Sequence, residues 1–576
     1  MDKSRHQHIY DLAELCVQHG IRHAVICPGS RSAPLVLGFA NHNGINCSVI
    51  PDERSAAFTA LGIAQATKMP VVLICTSGTA AYNFAPAVAE AFFQEIPLIV
   101  CTADRPVEWI GQRDGQTIFQ HKIYGDHVKR FFDVQAEDQP EGPWLSNRMM
   151  NEAIITAVTA PQGPVHLNFP FREPLYPSAD EPVIFGKPRV VKVISGVSVP
   201  DQKQISKLKA SLSGFRKVLI VAGQYNRSSL LQKHLLKLQG IPVVGEILSN
   251  LHILPSLIRH ADIFLSSESE KIKNELKPDL LITWGNGILS KSTKVFLRKY
   301  PAKEHWHIQE AGMAADTFKG LTKVINCTPE YFVSDILLPL KVSGTLKQQR
   351  DRYFHFWKDA EQYHSKAADK VIKNSCSESY AVGHILSALP ANADIHLANS
   401  MSVRHAALAG LQSSKKNSEV FSNRGTSGID GCTSTVIGHQ LVKKNMQVLI
   451  TGDVAFFYDG NAFWNDLKTG SLRICLLNNQ GGRIFQIIDG PKDRAEVNTY
   501  FVGPQKRSAE TFCRENRIAY HRVDKEDLKE NKRLKELLKE FFKPAPGIKL
   551  IEIFAEPGRD RTIMDIIKKQ QKPPVK

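Results

Sequence analysis

The sequence predicts an α/β protein of three units, each a mostly parallel sheet flanked by helices. Three observations carry this. Short apolar runs alternate with helical patterns along the chain. The strand-like runs end in turns rich in Gly, Ser, Asp and Arg, as the ligand-bearing strand ends of a doubly wound sheet do. Two breaks divide the pattern: the Pro-rich stretch EPLYPSADEPVIFGKPR at 173–189 and the polar, basic stretch 341–352. They set expected domains at 1–180, 190–340 and 353–576 in a chain of 576 residues.

In the first unit His23–Cys27 reads as a strand, and the loop Pro28-Gly29-Ser30-Arg31-Ser32 leads into a helix from Ala33. Cys47–Ile50 is followed by Asp52-Glu53-Arg54 and a helix of small residues, among them Ala56, Ala57, Ala60, Gly62 and Ala64. Such a face permits close packing of the kind a subunit interface needs. Val71–Cys75 runs into Thr76-Ser77-Gly78-Thr79-Ala80, and Leu98–Cys101 into Thr102-Ala103-Asp104-Arg105-Pro106. Strands of the second unit are Val218–Ala222, Ile241–Gly245 and Leu280–Trp284. In the third, Ile395–Ala398 precedes Asn399-Ser400-Met401-Ser402-Val403-Arg404. The stretch Lys525–Lys543, apolar at Leu528, Leu534, Leu537, Leu538 and Phe541, predicts one amphipathic helix, and the tail KKQQKPPVK a frayed end.

Composition narrows the function classes. A hydrophobic fraction of 43% and a charged fraction of 23% are those of a soluble globular protein. No apolar run reaches the roughly 18 residues of a membrane span. The N-terminal segment enters a helical pattern without a signal-peptide core. The ten cysteines form no CxxC, and Cys75, Cys101 and Cys475 sit in strand-like runs. They read as reduced core residues of a cytoplasmic protein, not as a disulfide or zinc framework. The net charge of +16 can mean nucleic acid, an acidic membrane surface or small anionic substrates, and the lysines are spread along the chain.

The most informative segment is 446–486. Val448–Ile450 runs into Gly452-Asp453, and Ile474–Leu477 into Asn478-Asn479-Gln480-Gly481-Gly482. Twenty-six residues separate Asp453 from Asn479, the length of a strand–helix–strand unit, so both polar ends reach one edge of a parallel sheet. A carboxylate, an amide oxygen and a glycine-rich turn form a hard-oxygen site suited to Mg²⁺; the alternative is two ordinary strand-end turns. Arg31, Arg105, Arg404 and Arg424 stand at expected strand ends or turns. A guanidinium grips a carboxylate through a two-pronged fork, so the set suits di-acid substrates, although any one alone would read as solvated.

The 446–486 pattern resembles the metal–diphosphate motif of thiamine diphosphate (ThDP) enzymes, with Val454 where the common form has Gly. PGSRS (28–32), DER (52–54), TSGTA (76–80), TADRP (102–106), Asn399-Ser400 with Arg404, SNRGTSGIDG (422–431), GDV (452–454) and NNQGGRIF (478–485) follow in order. Over roughly 6–490, and less so in the middle domain, they resemble the 2-succinyl-5-enolpyruvyl-6-hydroxy-3-cyclohexene-1-carboxylate synthase family of menaquinone biosynthesis, in which Val454 is expected. The resemblance implies the three-domain ThDP-enzyme plan: an N-terminal pyrimidine-binding domain, a central domain and a C-terminal diphosphate/Mg-binding domain. It implies ThDP and Mg²⁺ as cofactors, with Mn²⁺ as the alternative metal. It implies a homodimer with interfacial sites, a tetramer remaining open, in which one subunit supplies the Glu and another the metal motif.

The implied reaction decarboxylates 2-oxoglutarate and adds the succinyl-carbanion equivalent 1,4 to isochorismate. By motif position, Glu53, Arg31 and Ser30 are the catalytic candidates. Glu53 would hydrogen-bond the pyrimidine ring nitrogen; its alternative is a helix N-terminal acid favoured by the helix dipole. Asp453, Asn479 and the Gly481 carbonyl would hold the metal. Gly452, Val454 and Ser427 would line the cofactor, and Ile429 would support its bend, the alternative for Ile429 being ordinary core. Ser30, Arg31, Arg105, Gln116, Lys291, Ser400, Arg404 and Arg424 would bind substrate, with Ser400 and Arg404 alternatively on the diphosphate. Ile484 and Phe485 would form an apolar wall. Two departures from the family pattern, Gly115 before Gln116 and Ser292 after Lys291, put the isochorismate contacts in question. The rivals are another ThDP carboligase or decarboxylase such as an acetolactate synthase, which would prefer monocarboxylate donors, and a non-catalytic or nucleic-acid-binding protein on the same fold.

Overall fold

The computed structural model describes residues 6–134, 141–177, 182–373, 375–467 and 470–570. Part of the expected linker (178–181) and of the expected frayed tail (571–576) lies outside the described residues.

Three sheets form from the strand-like runs. The first contains β1 (His23–Ile26), β2 (Asn46–Val49), β3 (Val71–Cys75), β4 (Leu98–Asp104), β5 (Phe131–Asp133) and β6 (Val165–Pro170), in the order β2-β1-β3-β4-β6-β5. All its pairs are parallel. The second contains β7 (Val218–Ala222), β8 (Val243–Gly245), β9 (Leu280–Trp284), β10 (Glu304–Gln309) and β11 (Lys323–Asn326), in the order β11-β10-β9-β7-β8, again parallel. The third contains β12 (Asp394–Leu397), β13 (Val420–Phe421), β14 (Gln447–Gly452), β15 (Ser471–Leu477), β16 (Ala519–Val523) and β17 (Gly547–Ile553), in the order β13-β12-β14-β15-β17-β16. Its outer pairs β12–β13 and β16–β17 are parallel. β3, β4, β7 and β9 are buried at every position, as strands covered on both faces must be. In each sheet the chain winds outward in both directions from one crevice: between β1 and β3, between β7 and β9, and between β12 and β14. Ligands bind at such switch points, beyond the carboxyl ends of the strands.

The chain divides into two compact units. One comprises Met1–Ser195, Asn423–Gln447 and Ala455–Leu472; the other comprises Gly196–Ser422, Val448–Val454 and Arg473–Lys576. Helix Cys432–Val442 joins the first unit because it crosses helix Glu53–Thr67 backbone to backbone. A Cβ on Gly62 would lie 2.1 Å from the Thr435 carbonyl oxygen, and one on Gly438 would lie 2.2 Å from that of Thr59. The small-residue face of helix Glu53–Thr67, expected to serve a subunit interface, is thus taken up within the same chain.

A buried polar seam runs between β4 and β6. The Thr102 hydroxyl donates to Asn168 Oδ1 (2.8 Å) and so accepts from His166 Nε2 (2.7 Å). Asn168 in turn donates to Asp104 (2.9 Å). Burial, with His121 nearby, pushes the His166 pKa down to about 3, and its Nδ1 has no partner.

In the second unit two expectations are corrected. The stretch 341–352 is not a linker: from Gly344 it is the start of the 29-residue helix Gly344–Ile372. Polar composition hid a buried Arg350, whose guanidinium donates to the carbonyls of Phe215 and Leu212 and holds the helix against the second sheet's unit. The segment 525–543 is two helices, Lys525–Lys529 and Asn531–Phe541, because the chain leaves helical geometry at Glu530. Leu528, Leu534, Leu538 and Phe541 are still buried together on one side.

Gly62→Ala should lower the urea midpoint. The helix-propensity gain of about 1 kcal/mol is smaller than the strain of forcing two backbones apart, about 1–3 kcal/mol or more. The His166 pKa is depressed, so its contribution to stability is complete above the unfolded value near 6.5 and falls away as pH drops toward 3. His166→Gln should flatten the loss of thermal stability across that window, by up to about 1.4 kcal/mol per pH unit where the unfolded state alone is protonated.

Candidate active site

In the first unit the turns after β1 and β3 face each other across the switch point. Gly29, Glu53, Thr76, Gly78 and Gln116 help line a cavity of about 440 Å³ there. Glu53 is the first residue of its helix, which Asp52 caps by accepting the Ser55 N–H (3.0 Å). Half-buried, it projects from a helix start whose next turns are wholly buried. Thr76 Oγ1 and Ser77 Oγ are buried without a partner, so this cavity offers hydroxyls to a polar group. A Cβ on Gly29 would collide with Thr76 at 2.4 Å, which keeps the two turns in contact. Ser30 follows Gly29 and is exposed.

The arginines are held, not loose. Arg31 is buried, donates to the Phe171 carbonyl (3.1 Å) and pairs with Glu173 (3.3 Å). Arg105 pairs with Asp114 (3.3 Å) and donates to the Gly115 carbonyl (3.0 Å), which ties it to the turn carrying Gln116. Gln116 is exposed and adopts φ +55°. Arg424, Ser427 and Ile429 lie on a loop of the same unit, Arg424 and Ile429 half-buried and Ser427 exposed at φ +66°. The buried Glu90 carboxylate accepts the backbone N–H groups of Gly425 and Thr426, both at 2.7 Å, and fixes this loop.

The second unit holds the other candidates. Asp453 begins helix Asp453–Tyr458 at the end of β14 and is 2% exposed. Burial pushes its carboxyl up to about 6; donors from Gln505, Val454 and Gly481 pull it down, and the nearby Glu378 charge raises it further. Asn479, just past β15, donates its amide to Glu378 (3.1 Å), while its Oδ1 is buried with no partner. Gly481 adopts φ +141°, and a Cβ there would meet the Val502 carbonyl at 2.8 Å, so only glycine fits. The structure therefore brings Asp453, Asn479 and Gly481 together. A buried carboxylate beside an orphaned amide oxygen is the donor set that a hard cation satisfies, so the residues fit a Mg²⁺ ion.

Gly452 closes β14 beside Asp453, and Val454 follows in the helix. Ser400 precedes helix Met401–Ala409 at φ +70°, ψ −125°, a conformation strained for a serine. Arg404 donates to the Ser400 carbonyl across one turn. Arg404, Lys291 and Ile484 help line a cavity of about 530 Å³ within this unit. Lys291 heads helix Lys291–Lys299 and lies 3.9 Å from Asp489; Ser292 donates its backbone N–H to Asp262 (3.1 Å). Phe485 packs its ring against Phe501. The four arginines are divided, with Arg31, Arg105 and Arg424 in the first unit and Arg404 in the second.

Several residues that shape these sites carry no signal in the sequence reading. Gln120 accepts the Gly78 N–H (2.8 Å) and donates to the Ala103 carbonyl and Asn168, bracing the 76–80 turn from below. Glu90, Gln505 and Glu378 likewise act on motif residues distant in sequence. Only a buried polar residue within an otherwise apolar run, such as Glu90 in APAVAEAFF, hints at such a partner.

Residues 10–129 match the family model described as the thiamine pyrophosphate enzyme, N-terminal TPP binding domain. A relative from Cytophaga hutchinsonii named 2-succinyl-5-enolpyruvyl-6-hydroxy-3-cyclohexene-1-carboxylate synthase is 41% identical, covering 98% of each chain. One of that name from Flavobacterium johnsoniae is 37% identical over 94% of this chain and 95% of its own. Another from Bacteroides thetaiotaomicron is 35% identical over 97% of each. With the likeness running nearly end to end through both units, the chain belongs to the 2-succinyl-5-enolpyruvyl-6-hydroxy-3-cyclohexene-1-carboxylate synthase family of thiamine diphosphate enzymes.

Proposed function

We propose that the protein decarboxylates 2-oxoglutarate and joins the resulting succinyl unit to isochorismate by 1,4-addition, using ThDP and a divalent cation, Mg²⁺ or Mn²⁺. The reading includes domains at 1–180 and 190–340 and a third that starts with helix Gly344–Ile372 instead of at 353, each carrying one of the three sheets. It includes a homodimer with interfacial active sites, as the family resemblance implies. It also includes a cytoplasmic location, which the ten free cysteines support. Among the described residues no helix is long and apolar enough to cross a membrane. The observation that carries the cofactor reading is the buried Asp453 beside the unpartnered Asn479 oxygen, in a chain whose relatives are named for the product.

When bound, ThDP supplies the electron sink that lets a 2-oxo acid lose CO₂. The chain's own residues do the rest. Glu53, half-buried at the start of a largely buried helix, would hydrogen-bond the pyrimidine ring nitrogen and so activate the cofactor. Asp453, Asn479 and the Gly481 carbonyl would hold the cation, whose charge would offset that of the diphosphate. Gly452 and Val454 of the second unit, and Ser427 and Ile429 of the first, would line the cofactor. Arg31 and Arg105, already aligned by Glu173 and by Asp114, present their guanidinium groups to substrate carboxylates together with Ser30, Gln116 and Arg424. In the second unit Lys291, Ser400 and Arg404 take an acidic substrate, and Ile484 and Phe485 exclude water. With Ser292 committed to Asp262 through its backbone, Lys291 is the cation of that pair of positions.

The test is CO₂ release from 2-oxoglutarate with ThDP and Mg²⁺, with and without isochorismate. Wild type should turn over only with isochorismate, and Glu53→Gln should lose about 10²-fold or more, the scale of a lost acid–base partner. Preference for pyruvate, or turnover indifferent to isochorismate, would move the protein to another ThDP activity. Changes behind a metal ligand cost about 10–100-fold in affinity, so Asp453→Asn, which removes a ligand's charge, should raise the Mg²⁺ requirement for ThDP binding about 100-fold or more.

A further inference from the structure

Beneath Asn479 lies a buried charged cluster that the proposed reaction does not use. Glu378, His405 and Asp560 are 3%, 1% and 8% exposed. Their ligand atoms lie within 4.8 Å of one another, a spacing that would suit a metal ion. Hydrogen-bond accounting argues against a metal there. Asp560 accepts the backbone N–H groups of Glu378 (2.9 Å) and Ser379 (3.1 Å), capping helix Glu378–Ala388, and also accepts the Ser379 hydroxyl (2.6 Å). With its one proton given to Asp560, the Ser379 hydroxyl can only accept from His405 Nδ1 at 2.8 Å. Glu378 Oε2, a carboxylate oxygen, can only accept from His405 Nε2 at 3.2 Å. Both ring nitrogens therefore carry protons, and an imidazolium has no lone pair for a metal. Burial alone would lower the His405 pKa, but the Asp560 and Glu378 carboxylates outweigh it and hold it above the ordinary value.

The same oxygen of Glu378 receives the Asn479 amide at 3.1 Å. Because a carboxylate cannot donate, the side of Asn479 that faces it must be the NH₂ group. The carbonyl oxygen is then forced to the opposite side, where it is buried and unpartnered. A flipped amide would set two acceptors against each other and aim a donor at the cation.

We infer that Glu378, anchored by His405 and Asp560, is a positioning residue that sets the amide orientation of Asn479 and thereby the affinity of the site for its divalent cation. The inference rests on the reading of Asn479 as a cation ligand. Partners that orient a metal ligand typically govern about 10–100-fold in metal affinity.

The experiment is a calorimetric titration of the full-length protein with ThDP across a series of Mg²⁺ concentrations, without substrate. Folding is checked by circular dichroism and by the ligand-free melting temperature. Glu378→Met fills the space without an acceptor and should raise the half-saturating Mg²⁺ about 10–100-fold; Glu378→Ala replaces it if the Met variant does not fold. Glu378→Gln, which can still turn a carbonyl oxygen toward Asn479, should restore the titration to within about threefold of wild type, a rescue that a purely structural role for the charge would not give. A folded Glu378→Met protein with the wild-type Mg²⁺ dependence, or a Gln variant as weak as Met, would overturn the inference and leave the cation reading intact. Wild type that binds ThDP without any Mg²⁺ dependence would overturn the cation reading itself.

Discussion

The first unit depends on one close approach. Helices Glu53–Thr67 and Cys432–Val442 cross so tightly that neither Gly62 nor Gly438 has room for a Cβ. Helix pairs separated by ordinary side chains stand about 8–10 Å apart; glycine at both contact points lets backbone meet backbone. A segment more than 350 residues away in sequence thereby becomes part of the body that carries Glu53. Phe58 lies against Gly431, so the turn entering the second helix is fixed from the same side. Glu90 then fixes the preceding loop by its backbone N–H groups. The loop carries Arg424, Ser427 and Ile429, of which Ser427 is exposed.

A second constraint governs the other unit: polar atoms removed from water must find partners. Most do. Glu552 is fully buried yet accepts from Asn478, Ser508, the Ala509 N–H and Tyr520. Asn478 is thereby locked at the end of β15, and its neighbour Asn479 is placed by consequence. The unpartnered oxygen of Asn479 and the raised carboxyl of Asp453 are groups that a hard cation would satisfy. Two non-glycine residues near these strand ends, Ser400 and Gln480, also adopt positive φ. Ordinary turns do not hold a serine at ψ −125° unless the surrounding packing over-determines it.

Much of this was legible before any coordinates. Val71–Cys75, Val218–Ala222 and Leu280–Trp284 form strands at the expected residues, because strands buried on both faces read as uninterrupted β-branched runs. The motif residues Gly29, Glu53, Gly78, Asp453, Asn479 and Gly481 announced themselves by sitting at the ends of those runs. The stretch 341–352 misled because composition records polarity and not the depth at which Arg350 is buried. The helix expected at 525–543 broke at Glu530 because one apolar face is compatible with either one helix or two.

The sequence by itself determined the α/β class, the family and the residue types at the strand ends, since each depends on local pattern: period, turn chemistry and motif order. Tertiary structure alone decided which distant residues serve those ends. It attached helix Cys432–Val442 to the body that carries Glu53, set Gln120 under Gly78, and placed the Glu378–His405–Asp560 cluster behind Asn479. The physical reason is that hydrogen bonds and close packing act over ångströms of space without regard to separation along the chain, so a buried carboxylate looks the same in sequence whether it braces a ligand or only caps a helix.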